Sequence, residues 1–274
     1  MYAQYAYLNT MTNNWEAIVL DDYRAVWPLP YRKKWGFKYY YTPAFIQQLG
    51  LIGKIQEDDI NTCINLIQKE VSLADLHLNF SNDAVSISDK QSRTNFILDL
   101  NQSFESILSN CQPPFSSTYQ KLTSQSNLVF TSTDNYESII DTYYTLYQSK
   151  HQSLHADDIA RFKQLVIHYF NTGQCKAHII QSGNILYAAS ILLFDTKRIY
   201  NILNLLTEQG RKTQANYLLY GAILTKYSGQ NLLFDFEGSD LQGVKAFYAK
   251  MQPMNQPYTQ YRLNQLPWPL RLLK

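Results

Sequence analysis

Apolar positions along this chain alternate between two spacings, one typical of helices and one typical of strands. One helical face is formed by Ile60, Cys63, Ile64, Ile67 and Val71. Soon after it, apolar and polar residues alternate through Leu76, Leu78 and Phe80. A period of 3.6 places side chains on one face of a helix, whereas a period of two places them on one face of a strand. The chain is therefore predicted to mix helices and strands.

The first half is predicted to be rich in short strands. The expected order is strand 15–20, strand 23–29, strand 37–41, a helix from Asp58 or Asp59, strand 76–80 and strand 96–100. Asp21-Asp22 between the first two runs is suited to a hairpin turn. Pro28 and Pro30 are expected to end the second run, because proline has no N–H to donate to a sheet ladder.

The second half has a longer and clearer pattern. It predicts helices at 136–147 and 159–169, strands at 176–181, 185–194 and 199–206, a helix through 217–227, a strand ending at 235, a helix at 244–248 and a strand at 258–263. The first half repeats a shorter version of this plan. A segment rich in Ser, Gln and Pro, at about 109–125, is the expected junction. We therefore expect two domains, residues 1–115 and 116–274.

Composition narrows the function classes. The 274 residues are 45% hydrophobic and carry a net charge of +2, which is too small for a strongly nucleic-acid-binding protein. Cys63, Cys111 and Cys175 are far apart and have no metal-ligand spacing, so we expect free thiols in a reducing compartment. No secretory signal or membrane-spanning run is visible. A cytoplasmic protein is expected.

The candidate chemistry is concentrated where the last long apolar run ends, at Leu233-Phe234-Asp235-Phe236-Glu237-Gly238-Ser239. If the strand continues, Asp235 and Glu237 lie on one face, and either could be a general base for an attacking amine. Alternatively, they bond the first amides of the next helix or pair with Lys245. On that helix, Lys245 could line a substrate groove.

These residues also carry a family resemblance. Asn216-Tyr217-Leu218-Leu219-Tyr220, followed by Gly229 and the run 233–239, resembles the second-domain signature of the FemABX-like branch of the GNAT acyltransferase superfamily. First-domain motifs of an uncharacterised FemAB-like subgroup resemble Trp15-Glu16-Ala17, Pro28-Leu29-Pro30, Pro43 and Gln47-Gln48-Leu49-Gly50. The resemblance implies an α/β fold of the α+β type. Two tandem GNAT-like domains would each contain a mixed, mostly antiparallel sheet flanked by helices. The first domain would lack its first strand and helix.

The same resemblance implies an N-acyltransferase with acetyl-CoA, another acyl-CoA or aminoacyl-tRNA as donor. The segment matching the family's pyrophosphate loop runs from Gln209 through Gly210, Arg211 and Lys212 to Asn216, but Gln214 replaces its inner glycine. Cations at a helix start oppose the helix dipole, so Arg211 and Lys212 favour an anionic ligand there. Gly238 and Ser239 complete the expected binding set.

The acceptor implied by the resemblance is a small-molecule or peptide amine. A tRNA partner is not supported by charge, since Ser117–Ser126 contains only Lys121 where relatives carry a basic stripe. His151 and His155 have a helical i, i+4 spacing but no third ligand, so no metal site is expected. The competing hypothesis is a ligand-binding or assembly protein that retains the fold without catalysis.

Overall fold

A computed structural model of the chain describes residues 1–34, 36–82, 90–149, 154–238, 240–268 and 271. The chain forms two compact units. Residues 1–94 and 256–274 make up the first unit, and residues 95–255 make up the second. This division differs from the expected boundary between 115 and 116, which falls inside a helix of the second unit.

The part of the chain before Asn95 supplies most of the first unit. Its elements are α1 (Tyr5–Met11), β1 (Trp15–Leu20), β2 (Ala25–Lys34), β3 (Phe37–Tyr41), β4 (Ile52–Gly53), α2 (Asp59–Glu70), β5 (Leu73–His77) and β6 (Lys90–Arg93). The helix predicted from its apolar face is α2, which buries Ile60, Cys63, Ile64 and Ile67. These side chains belong to a core that also contains Trp27 and Leu29 of β2.

The second unit follows the predicted order of helices and strands. Its elements are β7 (Phe96–Asp99), α3 (Phe104–Asn110), α4 (Pro113–Gln125), β8 (Val129–Thr133), α5 (Tyr136–Tyr147), α6 (Ala156–Asn171), β9 (Cys175–Ser182), β10 (Ile185–Phe194), β11 (Arg198–Leu206), α7 (Glu208–Lys212), α8 (Ala215–Tyr227), β12 (Leu233–Asp235), α9 (Gln242–Tyr248), a 3₁₀ helix (Ala249–Met251) and β13 (Met254–Asn255). A last strand, β14 (Tyr258–Asn264), returns to the first unit. The segment expected as a junction forms α3 and α4 instead.

Each unit contains one mixed sheet. The strand order is β1-β2-β3-β5-β14-β6 in the first unit, with β4 on β2, and β13-β7-β12-β11-β10-β9-β8 in the second. Among the described strands, the parallel pairs are β3 with β5 and β11 with β12. The predicted fold class, with two mostly antiparallel sheets flanked by helices, is confirmed.

Two strands belong to a different unit from the one expected. β7 was expected in the first domain, but it pairs with β12 and β13 in the second unit. β14 was expected to close the second domain, but it pairs with β5 and β6 in the first. Apolar alternation identifies a strand without identifying its partner, so each strand was predicted but its sheet was not.

Candidate functional site

The second sheet opens beside the last half of β11. β12 pairs with β11 only from Arg198 to Tyr200, and no described strand pairs with β11 on that side beyond Tyr200. The end of β11, the start of α8 and the helix α9 enclose a cavity of about 520 Å³. Its lining residues are Tyr147, Asn204, Leu206, Arg211, Gln214, Asn216, Tyr217, Leu241, Gly243, Val244, Phe247 and Tyr248.

A β-bulge in β11 aims two asparagines at α8. Leu193 is opposite Tyr200 and Ile191 is opposite Leu203, so two residues of β11 oppose one residue of β10. The extra residue resets the alternation of side chains. Asn201 and Asn204, although three residues apart, therefore both bond to α8: Asn201 Nδ2 donates to the Tyr220 hydroxyl over 2.6 Å, and Asn204 Oδ1 accepts from Asn216 Nδ2 over 3.4 Å.

A buried chain of hydrogen bonds ends at the cavity wall. Ser190 Oγ donates to Asn201 Oδ1 over 2.6 Å, and the hydroxyls of Tyr220 and Tyr248 lie 2.8 Å apart. Burial raises the pKa of Tyr248 to about 12. The Tyr248 hydroxyl is therefore protonated at neutral pH and can donate a hydrogen bond or a proton.

Tyr147 fixes the end of β11 from the other direction. Its hydroxyl donates to the Leu206 carbonyl over 3.1 Å and accepts from the Leu206 N–H over 3.4 Å. The N–H and C=O of Leu206 thus both have a partner, although β12 does not extend along this part of β11. The phenol takes the role that a neighbouring strand would have, and it holds this cavity wall in place.

Arg211 and Lys212 lie in the last turn of α7, not at a helix start as expected. Thr207 caps α7, and its hydroxyl accepts from the Gly210 N–H over 3.0 Å. Cations in the last turn favour the helix dipole, so the predicted electrostatic anomaly is wrong. Lys212 pairs with Glu208 at 2.8 Å on the exposed surface. Arg211 lines the cavity, and within the described residues its guanidinium has no ion-pair partner.

Gly210, the glycine of the expected phosphate loop, allows α7 to pack closely against β10. A Cβ at Gly210 would lie 1.9 Å from the Tyr187 carbonyl oxygen of β10, so only glycine fits against the sheet here. The required left-handed turn occurs at Gln214, with φ of 59°, between α7 and α8. Gln209 is exposed on α7 and does not line the cavity. The loop therefore offers no open glycine amide at Gly210 for a pyrophosphate.

Asp235 is held in a buried ion pair. Arg198 Nη1 donates to Asp235 Oδ2 over 2.6 Å, and the side chains are 11% and 1% exposed. Asn95 Nδ2 and the Glu237 N–H donate to the same carboxylate over 3.3 and 3.0 Å. Burial raises the pKa of Asp235, while the Arg198 guanidinium opposes that rise by stabilising the carboxylate. This geometry favours a structural role over that of a base.

Glu237 has a different environment. The strand ends at Asp235 and Glu237 has a left-handed backbone with φ of 57°, so the two carboxylates do not share a strand face as expected. Glu237 is half-buried, and its charge helps to raise the pKa of Tyr248. Gly238 and Lys245 are exposed outside the cavity lining, and Ser239 lies outside the described residues.

The structure thus brings Arg211 and Asn216 together in one cavity with groups that the sequence did not single out. Asn204 was missed, although a polar residue in the apolar run Ile199–Leu206 was a usable signal. The side chains of Asn204 and Asn216 contribute the two buried polar atoms that have no partner in the described structure, Asn204 Nδ2 and Asn216 Oδ1. Those described residues include no His, Cys, Asp and Glu cluster placed to hold a metal ion, and His151 lies outside them.

The architecture is similar to three solved structures. FemX superposes with a TM-score of 0.63 at 10% identity, covering 95% of this chain and 90% of FemX. A conserved protein of unknown function from Bacteroides thetaiotaomicron VPI-5482 gives 0.59 at 10% identity, covering 94% and 89% of the two chains. The C-terminal domain of a protein described as a lysylphosphatidylglycerol synthetase, from Agrobacterium fabrum, gives 0.55 at 12% identity, covering 94% and 86%.

The chain shares the fold of FemX. The predicted resemblance to FemABX-like proteins is confirmed at the level of fold. No protein-family model matches the sequence, and no curated protein matches it either. Among its described helices, none combines the length and the apolar character needed to cross a membrane.

Proposed function

We propose that this protein transfers an acyl or aminoacyl group to the amino group of an acceptor, with the donor bound in the cavity of the second unit. The main support for the proposal is the 520 Å³ cavity at the open side of β11. Arg211 lines this cavity, and so does Tyr248, at which the buried chain of hydrogen bonds ends. A concave site with a few polar groups of defined chemistry is the usual form of a small-ligand site. The fold shared with FemX supports the proposal.

The donor is an acyl-CoA or an aminoacyl-tRNA, since both carry an activated acyl group on a phosphate-bearing carrier. Arg211 is the anion contact that we assign, because its guanidinium has no carboxylate partner in the described structure and lines the cavity. The Gly210 N–H is already bonded to Thr207, so it cannot contribute to a phosphate cradle. The small net charge of +2 favours the acyl-CoA donor over tRNA.

In the proposed reaction, the acceptor nitrogen attacks the acyl carbon while the bond from that carbon to the carrier breaks. This bond is C–S in a thioester and C–O in an aminoacyl ester. The nitrogen loses one proton, for which Glu237 is the candidate base. The departing sulfur or oxygen takes one proton, for which Tyr248 is the candidate donor, because burial keeps its hydroxyl protonated. Asp235 is left to its ion pair with Arg198.

The acceptor is a small-molecule or peptide amine. Lys245 and Gly238 remain candidates for contacting it, since both are exposed on the segment that follows β12. Most of the rate would come from positioning the two reactants and from hydrogen bonds to the transition state, which requires no further ionised group.

Calorimetric titration with acetyl-CoA and with an aminoacyl-tRNA tests the donor site. Arg211→Ala should weaken donor binding about tenfold or more, because it removes a charge-assisted hydrogen bond. Lys212→Ala is the matched control, since this neighbouring cation pairs with Glu208 away from the cavity. Failure of both donors to bind the folded protein would refute the proposal. Binding without transfer to any amine would favour the non-catalytic alternative.

A further inference from the structure

The cavity wall contains two amide side chains that satisfy each other only partly. Asn204 on β11 and Asn216 in the first turn of α8 share one hydrogen bond of 3.4 Å. The remaining atoms, Asn204 Nδ2 and Asn216 Oδ1, are buried and have no partner among the described residues. Both side chains line the 520 Å³ cavity. Buried polar groups are nearly always hydrogen-bonded, so this pair calls for a partner.

This conclusion does not depend on how the amides are oriented. The nitrogen and oxygen of an asparagine side chain are distinguished only by their hydrogen bonds. Rotating both amides exchanges the atoms that form the shared bond, but it still leaves one nitrogen and one oxygen over. The pair therefore presents one hydrogen-bond donor and one acceptor in either orientation.

The two amides are also held in place. The bulge in β11 sets the direction of Asn204, and the neighbouring bond from Asn201 to Tyr220 ties the same strand to α8. The left-handed residue Gln214 sets the start of α8 just before Asn216. A donor and an acceptor on two packed elements make a recognition site with little freedom to adapt.

We infer that Asn204 and Asn216 recognise an amide group of the ligand. A ligand C=O would accept from the unpartnered nitrogen, and a ligand N–H would donate to the unpartnered oxygen. Carboxylates, phosphates, esters and thioesters offer acceptors only, whereas an ammonium group offers donors only. An amide-containing chain supplies both on separate atoms, its C=O oxygen and its N–H, whereas a hydroxyl would have to supply both through one oxygen. The inference rests on the proposed function, for which it names the chemistry that selects the substrate.

Two substrates of the proposed reaction contain this chemistry, the pantetheine arm of an acyl-CoA and the backbone of a peptide acceptor. Ligand-observed NMR should therefore be run with two probes, pantetheine and N-acetyl-alanine methylamide. Each is compared with an analogue in which esters replace its amides. We expect at least one probe to bind, and its ester analogue to bind at least tenfold more weakly. The probe that binds identifies the source of the amide.

Asn204→Leu and Asn216→Leu should reduce the amide-to-ester affinity ratio to within about twofold of unity. Gln230→Leu, which removes an exposed amide elsewhere in the same unit, should leave the ratio unchanged. Equal affinity for amide and ester in the unaltered protein, or no binding of either probe, would overturn the inference without requiring a variant to fold. If acetyl-CoA still binds and is turned over, the proposed function survives that failure. If the protein prefers the amide probe but transfers no acyl group, the inference about Asn204 and Asn216 survives and the proposed function fails.

Discussion

Arg198 and Asp235 join two parallel strands through a buried ion pair, with 2.6 Å between the guanidinium Nη1 and the carboxylate Oδ2. The pair lies where β12 stops and the sheet opens. Asp235 also accepts the N–H of Glu237, so it fixes the turn that follows the strand. The carboxylate that looks most like a catalytic residue in the sequence is thus part of the support of the site.

Asp235→Ala should lower the free energy of unfolding by about 3–5 kcal/mol, because it leaves the Arg198 charge buried without its partner. Urea denaturation followed by circular dichroism measures the change. Glu237→Gln is the control and should cost less than about 1 kcal/mol, since Glu237 is only half-buried. A loss below about 1 kcal/mol for Asp235→Ala would show that the ion pair does not support the fold.

Gly210→Ala should destabilise the protein by about 1–3 kcal/mol, because the added Cβ would lie 1.9 Å from the Tyr187 carbonyl oxygen. Gly243→Ala is the matched change in α9, where nothing lies within 4 Å of the added Cβ. It should leave stability unchanged or raise it by up to about 1 kcal/mol. Thermal denaturation of both variants provides the comparison. Equal effects would contradict the packing role assigned to Gly210.

His178 should make stability depend on pH. Its Nδ1 lies 3.1 Å from Ser132 Oγ and its Nε2 lies 2.8 Å from the Tyr227 hydroxyl. Burial, together with the charges of Lys226 and Lys176, lowers the pKa of His178 to about 4. Between about pH 6.5 and pH 4 the unfolded chain gains a proton that the folded chain does not, so stability falls as the pH falls, by at most about 1.4 kcal/mol per unit.

The stability difference between the unaltered protein and His178→Gln isolates this effect. We expect the difference to be largest near pH 8 and to shrink as the pH approaches 4.5. Urea titrations at both pH values measure it. A difference that does not change with pH would mean that His178 is not held neutral by burial.

Tyr248→Phe should lower kcat by about 100-fold or more while leaving donor affinity within a few-fold, since it removes the proposed proton donor and little packing. Steady-state kinetics with the donor identified by titration gives both values. Tyr119→Phe is the companion variant, because its hydroxyl lies 3.2 Å from Thr225 Oγ1 and outside the cavity lining. A similar loss of kcat in both variants would argue against a specific role for Tyr248.

Much of the fold could be predicted from the sequence because it depends on local periodicity. The apolar face of α2 and the meander β9–β11 follow directly from spacing. The predicted stop at Pro28 and Pro30 was wrong, since β2 continues to Lys34. Tyr31 donates its N–H to the carbonyl of Asn14, the residue just before β1. Backbone nitrogens of a strand point alternately to its two sides, so those of Pro28 and Pro30 point away from β1. Their missing N–H groups therefore remove no hydrogen bond between β1 and β2.

The site was less predictable because it depends on events that periodicity does not encode. A single extra residue in β11 decides that Asn204 faces Asn216. The left-handed backbone at Glu237 separates it from Asp235, although their spacing suggested a shared face. Arg211 and Asn216 were identified through the resemblance, whereas Asn204 and the partner of Asp235 emerged only from tertiary packing.

A transfer assay with radiolabelled acetyl-CoA, a radiolabelled aminoacyl-tRNA and a panel of primary amines and short peptides measures the proposed activity itself. We expect label on an amine product with at least one donor, together with a loss of about 100-fold in kcat for Tyr248→Phe. No transfer from either donor by the folded protein, at concentrations that saturate binding, would contradict the proposed activity.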